Sequence, residues 1–299
     1  AVNFSKNILK NSQLYVTLEP CSHYGKTPPC VMVIIRKKIK KVFFSIKDPD
    51  PRSFNKSSKL LCSNGITVNK GLLKNEMEFF YRSYLKFKKR DLPFVTCKLA
   101  ISKDFYTINK RKNKWITNEF SRARVHLMRS NHDCIMTSSK TIVNDNPRLT
   151  CRIDGLKDRS PSRIILDNKL KISINSKIIK EANNFNTIVF YNKTDIKKIK
   201  LLKKLKIKIF KISLDKNGHL DLIRSLKKAK QLGFSRIFLE SGIELATSFL
   251  KENLVDDFKL FISNKNLAKN GSSNIKKSFR FFFKNKKKTI EKVNLLGDK

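Results

Sequence analysis

Short apolar runs recur along this chain and alternate with stretches of helical periodicity. That alternation constrains the fold more than any other feature. Strands buried on both faces of a parallel sheet read as continuous apolar runs, and the helices that cover them intervene in sequence. The first series places strands at 13–18, 41–46 and 66–68, with helices at 31–39 and 55–65 and a long amphipathic helix over 72–90. A basic cluster then runs into Asp91 and Pro93, a helix stop that marks a domain boundary. The expected division is 1–90 and 91–299. The second series places strands at 93–102, 134–138, 163–167, 187–191, 207–212 and 236–240. Its helices fall at 118–129, with Thr117 or Asn118 as N-cap, and at 195–205, 220–233 and 243–252. Strands at 258–263, 278–283 and 288–296 would close a β-rich tail. The fold class is α/β.

Composition narrows the class of function. The net charge of +42, from 66 Lys and Arg against 24 Asp and Glu, invites a nucleic-acid reading. The lysines, however, are spread through every segment, as in "LLKKLKIKIFKISL" (201–214), which fits solvated faces better than one binding stripe. No apolar run reaches the roughly 18 residues of a membrane span, and residues 1–12 lack the apolar region of a leader. Six cysteines are too few for a disulfide scaffold. Cys62, Cys97, Cys134 and Cys151 lie in or beside apolar runs and read as small buried hydrophobes. A reducing cytoplasm is the expected location.

Cys21 and Cys30 differ. In "PCSHYGKTPPC" (20–30) they bracket a tight loop directly after the first strand. A metal site, a disulfide and an inert turn are all open on the residues alone. Thiolates at the mouth of a strand suit Zn²⁺, which needs further ligands to complete a tetrahedral site. Pro-Cys after a strand is half of the zinc deaminase pattern, whose His-x-Glu element supplies another ligand and the proton shuttle.

The full run "TLEPCSHYGKTPPC" closely resembles the deaminase half of the bifunctional riboflavin-biosynthesis deaminase/reductase family, and "DPDP" (48–51) and residues 65–73 continue the match. The resemblance implies a cytidine-deaminase-like α/β/α domain, with Cys21 and Cys30 as zinc ligands. His23 is not a ligand in that pattern. The family's His-Ala-Glu element lies just upstream of this strand, and nothing precedes Ala1 here. The expectation is therefore a truncated deaminase domain, short of one ligand and of the catalytic carboxylate, that deaminates negligibly as given.

The resemblance continues into the second series, where it implies a dihydrofolate-reductase-like domain with a mixed sheet, NADPH as cofactor and one last strand missing. In "KLAISKD" (98–104) Ala100 would lie along the cofactor, while Phe105 replaces the family's usual Gly and leaves the turn in doubt. "KWIT" (114–117) holds the only tryptophan; Trp115 would contact the nicotinamide nucleotide and Asn113 the substrate. In "MTSSKTIVNDNPRLTCR" (136–152) Thr141 and Asp145 match cofactor positions, and Leu149 and Arg152 match substrate positions, as does Arg129. Guanidinium groups suit the ribose phosphate of such a substrate. In "FLESGIELATSFL" (238–250) Glu240 would meet substrate. The turn Gly242, Ile243, Glu244, Leu245, Ala246, Thr247 and Ser248 would hold the cofactor phosphates, with Asn168 on the cofactor side. No residue reads as a nucleophile, which suits hydride transfer from NADPH to a ribosyl carbon. The implied partner is a small phosphorylated pyrimidine rather than a membrane or a nucleic acid; a homo-oligomer stays open. Two other readings compete: a stand-alone reductase with a vestigial zinc domain, and a basic nucleic-acid-binding protein on a deaminase fold.

Overall fold

The computed structural model describes residues 9–110, 115–193, 196–284 and 289–290, the side chain of Phe279 excepted. The chain divides into two compact units, Ala1–Asp91 and Leu92–Lys299.

The first unit runs β1 (Gln13–Leu18), α1 (Cys30–Arg36), β2 (Lys41–Ile46), α2 (Lys56–Ser63), β3 (Thr67–Lys70), α3 (Lys74–Phe80) and α4 (Arg82–Lys89). Its three strands pair in parallel in the order β1-β2-β3. A small apolar cluster of Val31, Ile34, Ile39, Val42, Leu61 and Ile66 seals α1 and α2 against the sheet. The single helix expected over 72–90 is two. Tyr81 interrupts it with φ −87° and ψ 7°, and its hydroxyl lies 2.8 Å from Thr17 Oγ1. Neither α3 nor α4 buries a residue, so the core does not impose one straight axis on them. Cys62 is exposed, contrary to expectation. It follows Leu61, which fills the inward face of α2, and so points to the other side of the helix.

The second unit runs β4 (Phe94–Ile101), β5 (Tyr106–Asn109), α5 (Glu119–Ser130), β6 (Cys134–Ser138), α6 (Ser139–Asp145), β7 (Ser162–Leu166), α7 (Lys177–Lys180), β8 (Thr187–Tyr191), α8 (Ile196–Lys204), β9 (Lys208–Lys211), α9 (Leu222–Gln231), β10 (Arg236–Glu240), α10 (Ile243–Lys251), β11 (Asp257–Ile262), β12 (Gly271–Asn274) and α11 (Lys276–Phe283). Seven strands form one sheet in the order β11-β4-β10-β6-β7-β8-β9. A mixed sheet was the expectation, but among the described residues every pairing within it is parallel. Antiparallel pairing is confined to the β5–β12 ribbon and one isolated bridge. Both sheet faces are apolar, as a parallel sheet requires. Val95, Cys97, Leu99, Ile237 and Leu239 meet Leu226, Ala229, Ala246 and Phe249 of α9 and α10 on one face. Ile135, Ile165 and Phe238 meet Val125, Ile142, Ile178 and Leu202 of α5 to α8 on the other. Among the described residues no helix is long and apolar enough to cross a membrane.

Local chemistry explains several boundaries. Asn118, not Thr117, caps α5 by accepting the Ser121 amide at 2.9 Å. Asn146 closes α6 with φ 42°, the left-handed conformation that Asn tolerates, just before Pro147. The turn after β4 survives without the expected Gly, because Phe105 itself adopts φ 68°. Ser102 and Asp104 hold it there. Ser102 Oγ accepts the Tyr106 amide at 2.9 Å and donates to Asp104, which also accepts the Leu267 and Ala268 amides.

One strand assignment fails. Residues 278–283 lie in helix α11. Aromatic residues favour strands only where a pleated partner surface exists. Here Lys276, Arg280 and Lys284 recur at helical spacing, and the Phe283 ring packs 4.5 Å from that of Phe258. The strand expected at 288–296 lies outside the described residues except for 289–290, which are not in a strand.

Candidate active site

The chain moves outward from β6 through β7 and β8 to β9, then returns to insert β10 between β4 and β6. Ligands of open parallel sheets bind beyond the strand carboxyl ends at such a reversal. Glu240 is the last residue of β10, and the β4 register sets it directly beside Lys98. Arg129 reaches Glu240 from α5 in a fork, Nε donating to Oε2 at 3.0 Å and Nη2 to Oε1 at 2.8 Å. Its remaining nitrogen, Nη1, donates to the Thr150 carbonyl at 2.9 Å. The pair is largely out of solvent, with side chains 10% and 17% exposed. Burial alone would raise the Glu240 carboxyl, but Arg129, supported by Lys98, outweighs it and holds the group below its usual range. Burial lowers the Lys98 ammonium, and Glu240 opposes that shift.

His126 sits one helical turn before Arg129. Its Nδ1 lies 3.0 Å from the Thr150 carbonyl and 3.2 Å from the Arg152 amide. A neutral imidazole nitrogen serves only one of these, as donor to the first or acceptor from the second. Burial, then Arg129 and Arg152, lower its pKa. Thr150 and the exposed Arg152 border an open cavity of about 510 Å³, whose lining also includes Arg148, Lys157, Glu181 and Phe185. Arg148 Nε lies 3.0 Å from Glu181 Oε1.

The expected cofactor residues fall at the carboxyl edge of the same sheet. Ser138 ends β6 and caps α6, its Oγ accepting the Thr141 amide at 3.3 Å; Asp145, exposed, ends that helix. Gly242 caps α10. A Cβ there would meet nothing within 4 Å and φ is −68°, so neither space inside the protein nor backbone conformation demands glycine. The open volume is free for a ligand. Of the turn that follows, Glu244 and Ser248 are exposed, Thr247 is half-buried, and Ala246 is buried with Ile243 and Leu245 against the core. Lys140 of α6 donates to Glu244 of α10 at 2.5 Å. Asn168 lies two residues beyond β7. Its Nδ2 donates to the Gly218 carbonyl at 3.1 Å, while its buried Oδ1 has no hydrogen-bond partner among the described residues.

The remaining expected residues are less uniform. Ala100 is half-buried two residues beyond Lys98, on the same face of β4. Trp115 is 60% exposed, with the Arg122 guanidinium 4.9 Å from its ring centroid. Leu149 is buried in the core at φ 57°, so only its backbone is available to a ligand. Asn113 lies outside the described residues. Lys98, His126 and Lys140 were not anticipated. Lys98 carried a signal, a charge inside the apolar run "FVTCKLAI", and His126 another, three residues before Arg129 on one helix face.

In the first unit Cys21 and Cys30 converge, their sulfurs 3.3 Å apart, and the Cys30 amide donates to Cys21 Sγ at 3.2 Å. Both are free thiols. Burial, then the neighbouring Cys21, raise the Cys30 thiol. His23 is held by Ser53, Nδ1 to Oγ at 2.9 Å. Among the described residues no group of three His, Cys, Asp or Glu side chains could hold a metal. The nearby acids are engaged elsewhere. Glu19 accepts from Ser57 Oγ at 2.5 Å and the Asp48 amide at 3.2 Å, Asp48 accepts from Tyr84, and Asp50 accepts from Arg52 and Lys88.

Three comparisons bear on the chain as a whole. The family model of the RibD C-terminal domain matches residues 93–281. The riboflavin biosynthesis protein RibD of Bacillus amyloliquefaciens is 35% identical over 265 residues, covering 88% of this chain and 70% of the relative. That of Aquifex aeolicus is 34% identical over 258 residues, covering 86% and 70%. Among solved structures, Acinetobacter baumannii RibD aligns with a TM-score of 0.77 at 26% identity over 89% of this chain and 72% of that one. The diaminohydroxyphosphoribosylaminopyrimidine deaminase/5-amino-6-(5-phosphoribosylamino)uracil reductase of Thermotoga maritima aligns with a TM-score of 0.74 at 28% identity over the same shares.

Proposed function

The chain belongs to the RibD family of riboflavin biosynthesis proteins and carries its reductase-type domain, and from that premise we propose that residues 91–299 reduce the ribosyl group of a phosphorylated aminopyrimidine to a ribityl chain with NADPH. The observation that carries this reading is the Arg129–Glu240 fork with Lys98 beside it at the carboxyl edge of β10. Glu240, held ionised, accepts hydrogen bonds from substrate, and Arg129 fixes its orientation. Arg152 and the Leu149 backbone complete the substrate side. Arg152, at the cavity beside Thr150, suits a phosphate.

NADPH, when bound, supplies the hydride. The segment from Gly242 to Ser248 at the start of α10, with Ala100, Trp115, Thr141, Asp145 and Asn168, would hold it. The open volume at Gly242 fits such a guest. As hydride reaches the ribosyl carbon, the electron pair of its double bond to oxygen or nitrogen moves onto that heteroatom. Lys98 donates the proton that neutralises it and is reprotonated from water. A half-buried ammonium of lowered pKa suits this role.

We read residues 1–90 as the deaminase half, with Cys21 and Cys30 supplying two thiolates to zinc. The sulfurs converge, but among the described residues no third ligand joins them, so no deamination step is assigned to these residues. The test is NADPH oxidation driven by the synthetic ribosylaminopyrimidine phosphate. Saturable turnover that falls by about 10²–10⁴ in Lys98→Met is expected for loss of a general acid. Failure of the folded protein to bind NADPH overturns the reading.

A further inference from the structure

Lys140 and Glu244 belong to the first turns of two different helices, α6 and α10, which follow the adjacent parallel strands β6 and β10. Lys140 Nζ lies 2.5 Å from Glu244 Oε1, and both side chains are largely in solvent, 64% and 74% exposed. A pair so exposed contributes little to holding the fold together. Its position is the informative part. Lys140 immediately precedes Thr141, and Glu244 lies within the turn from Gly242 to Ser248, so the ion pair joins the two segments assigned above to the dinucleotide. A guest lying across both must meet it.

Charge decides what happens there. A carboxylate in the first turn of α10 competes with any incoming phosphate for the same free amides and the same positive helix end. Left alone, Glu244 would repel the cofactor. Paired with Lys140 it is neutralised, and the lysine it occupies is itself a phosphate ligand in waiting. Gly242 is exposed and a Cβ there would meet nothing within 4 Å, so this edge has room for a guest.

We propose that Lys140–Glu244 is an exchangeable latch on the dinucleotide crevice: on binding, Lys140 leaves Glu244 for a phosphate of the cofactor. The inference rests on the reductase reading above. It makes Lys140 a cofactor-binding residue and Glu244 a competitor that weakens affinity.

Titration calorimetry with NADPH on the full chain tests it. Glu244→Gln frees the lysine and removes the repulsion, and should bind about 5-fold tighter; Lys140→Ala should bind about 10-fold weaker; the double variant should return close to the parent. The gain in Glu244→Gln should shrink as salt rises. If the parent binds NADPH and both single variants stay within twofold of it, the latch is wrong and the reductase reading stands. Weaker binding by Glu244→Gln also overturns the latch, because Glu244 would then be a direct ligand. If the parent does not bind NADPH, both inferences fall together.

Discussion

Both units set acids beyond the carboxyl ends of parallel strands, but they use them differently. In the first, Glu19 follows β1 and Asp48 and Asp50 follow β2. Every one is consumed by partners that organise the loop: Ser57 and backbone amides, Tyr84, and the Arg52–Lys88 pair. In the second, Glu240 is also held in a fork, yet its partner Arg129 leaves a further half-buried cation, Lys98, on the next strand. A buried acid whose partners exhaust it is architecture. A buried acid with a spare charge beside it can bias a reaction. The core tells the same story, since the first unit has one small apolar cluster and must lean on polar contacts, while the second has an apolar layer on each sheet face.

The hardest test of this contrast is to break each network in turn. Arg129→Met strands a buried carboxylate and should cost the second unit about 3–5 kcal/mol, read by denaturant unfolding. Glu240→Gln, which keeps the shape, should instead cost turnover, by about 10² or more, with little loss of structure. Asp50→Asn should cost the first unit about 1–2 kcal/mol, discounted because Arg52 is exposed. Asp50 and Glu240 both have lowered folded pKa values, chiefly through Arg52 and Arg129 working against burial. Their stabilisation is therefore present above the ordinary carboxylate range near pH 4 and is lost as pH falls through the folded values. Asp50→Asn should flatten that acid dependence in the first unit alone; an unchanged profile would show that Asp50 is not the group responsible.

Smaller changes sharpen the comparison. Thr137, fully buried on β6, has a hydroxyl with no hydrogen-bond partner among the described residues. Thr137→Val should raise the stability of the second unit by about 1 kcal/mol, with NADPH turnover unchanged if the hydroxyl serves no ligand. Phe105→Asn, which relaxes the left-handed turn after β4, should add roughly 0.5–1 kcal/mol, visible as a modest rise in Tm.

Much of this was readable in one dimension. The α/β alternation, the Asn cap of α5 and the paired thiols after β1 all depend on residues a few positions apart, where periodicity, capping and turn chemistry act. The same local reasoning misjudged residues 278–283, whose Phe-rich run found no strand partner, and Cys62, whose exposure depends on which side of α2 meets the core. Lys98 is the sharper case. As a lone lysine in an apolar strand it carried no partner, and its meaning arrived only with Glu240 beside it.

What the sequence by itself determined, then, is the α/β alternation and most of the longer strands and helices, because these are set by short-range sterics and hydrogen bonding. Only the tertiary structure decided that β10 would enter between β4 and β6, and so bring Lys98, Glu240 and Arg129 together from distant parts of the chain. That choice is made by burying both faces of one sheet at once, a condition on the whole domain that no local segment encodes.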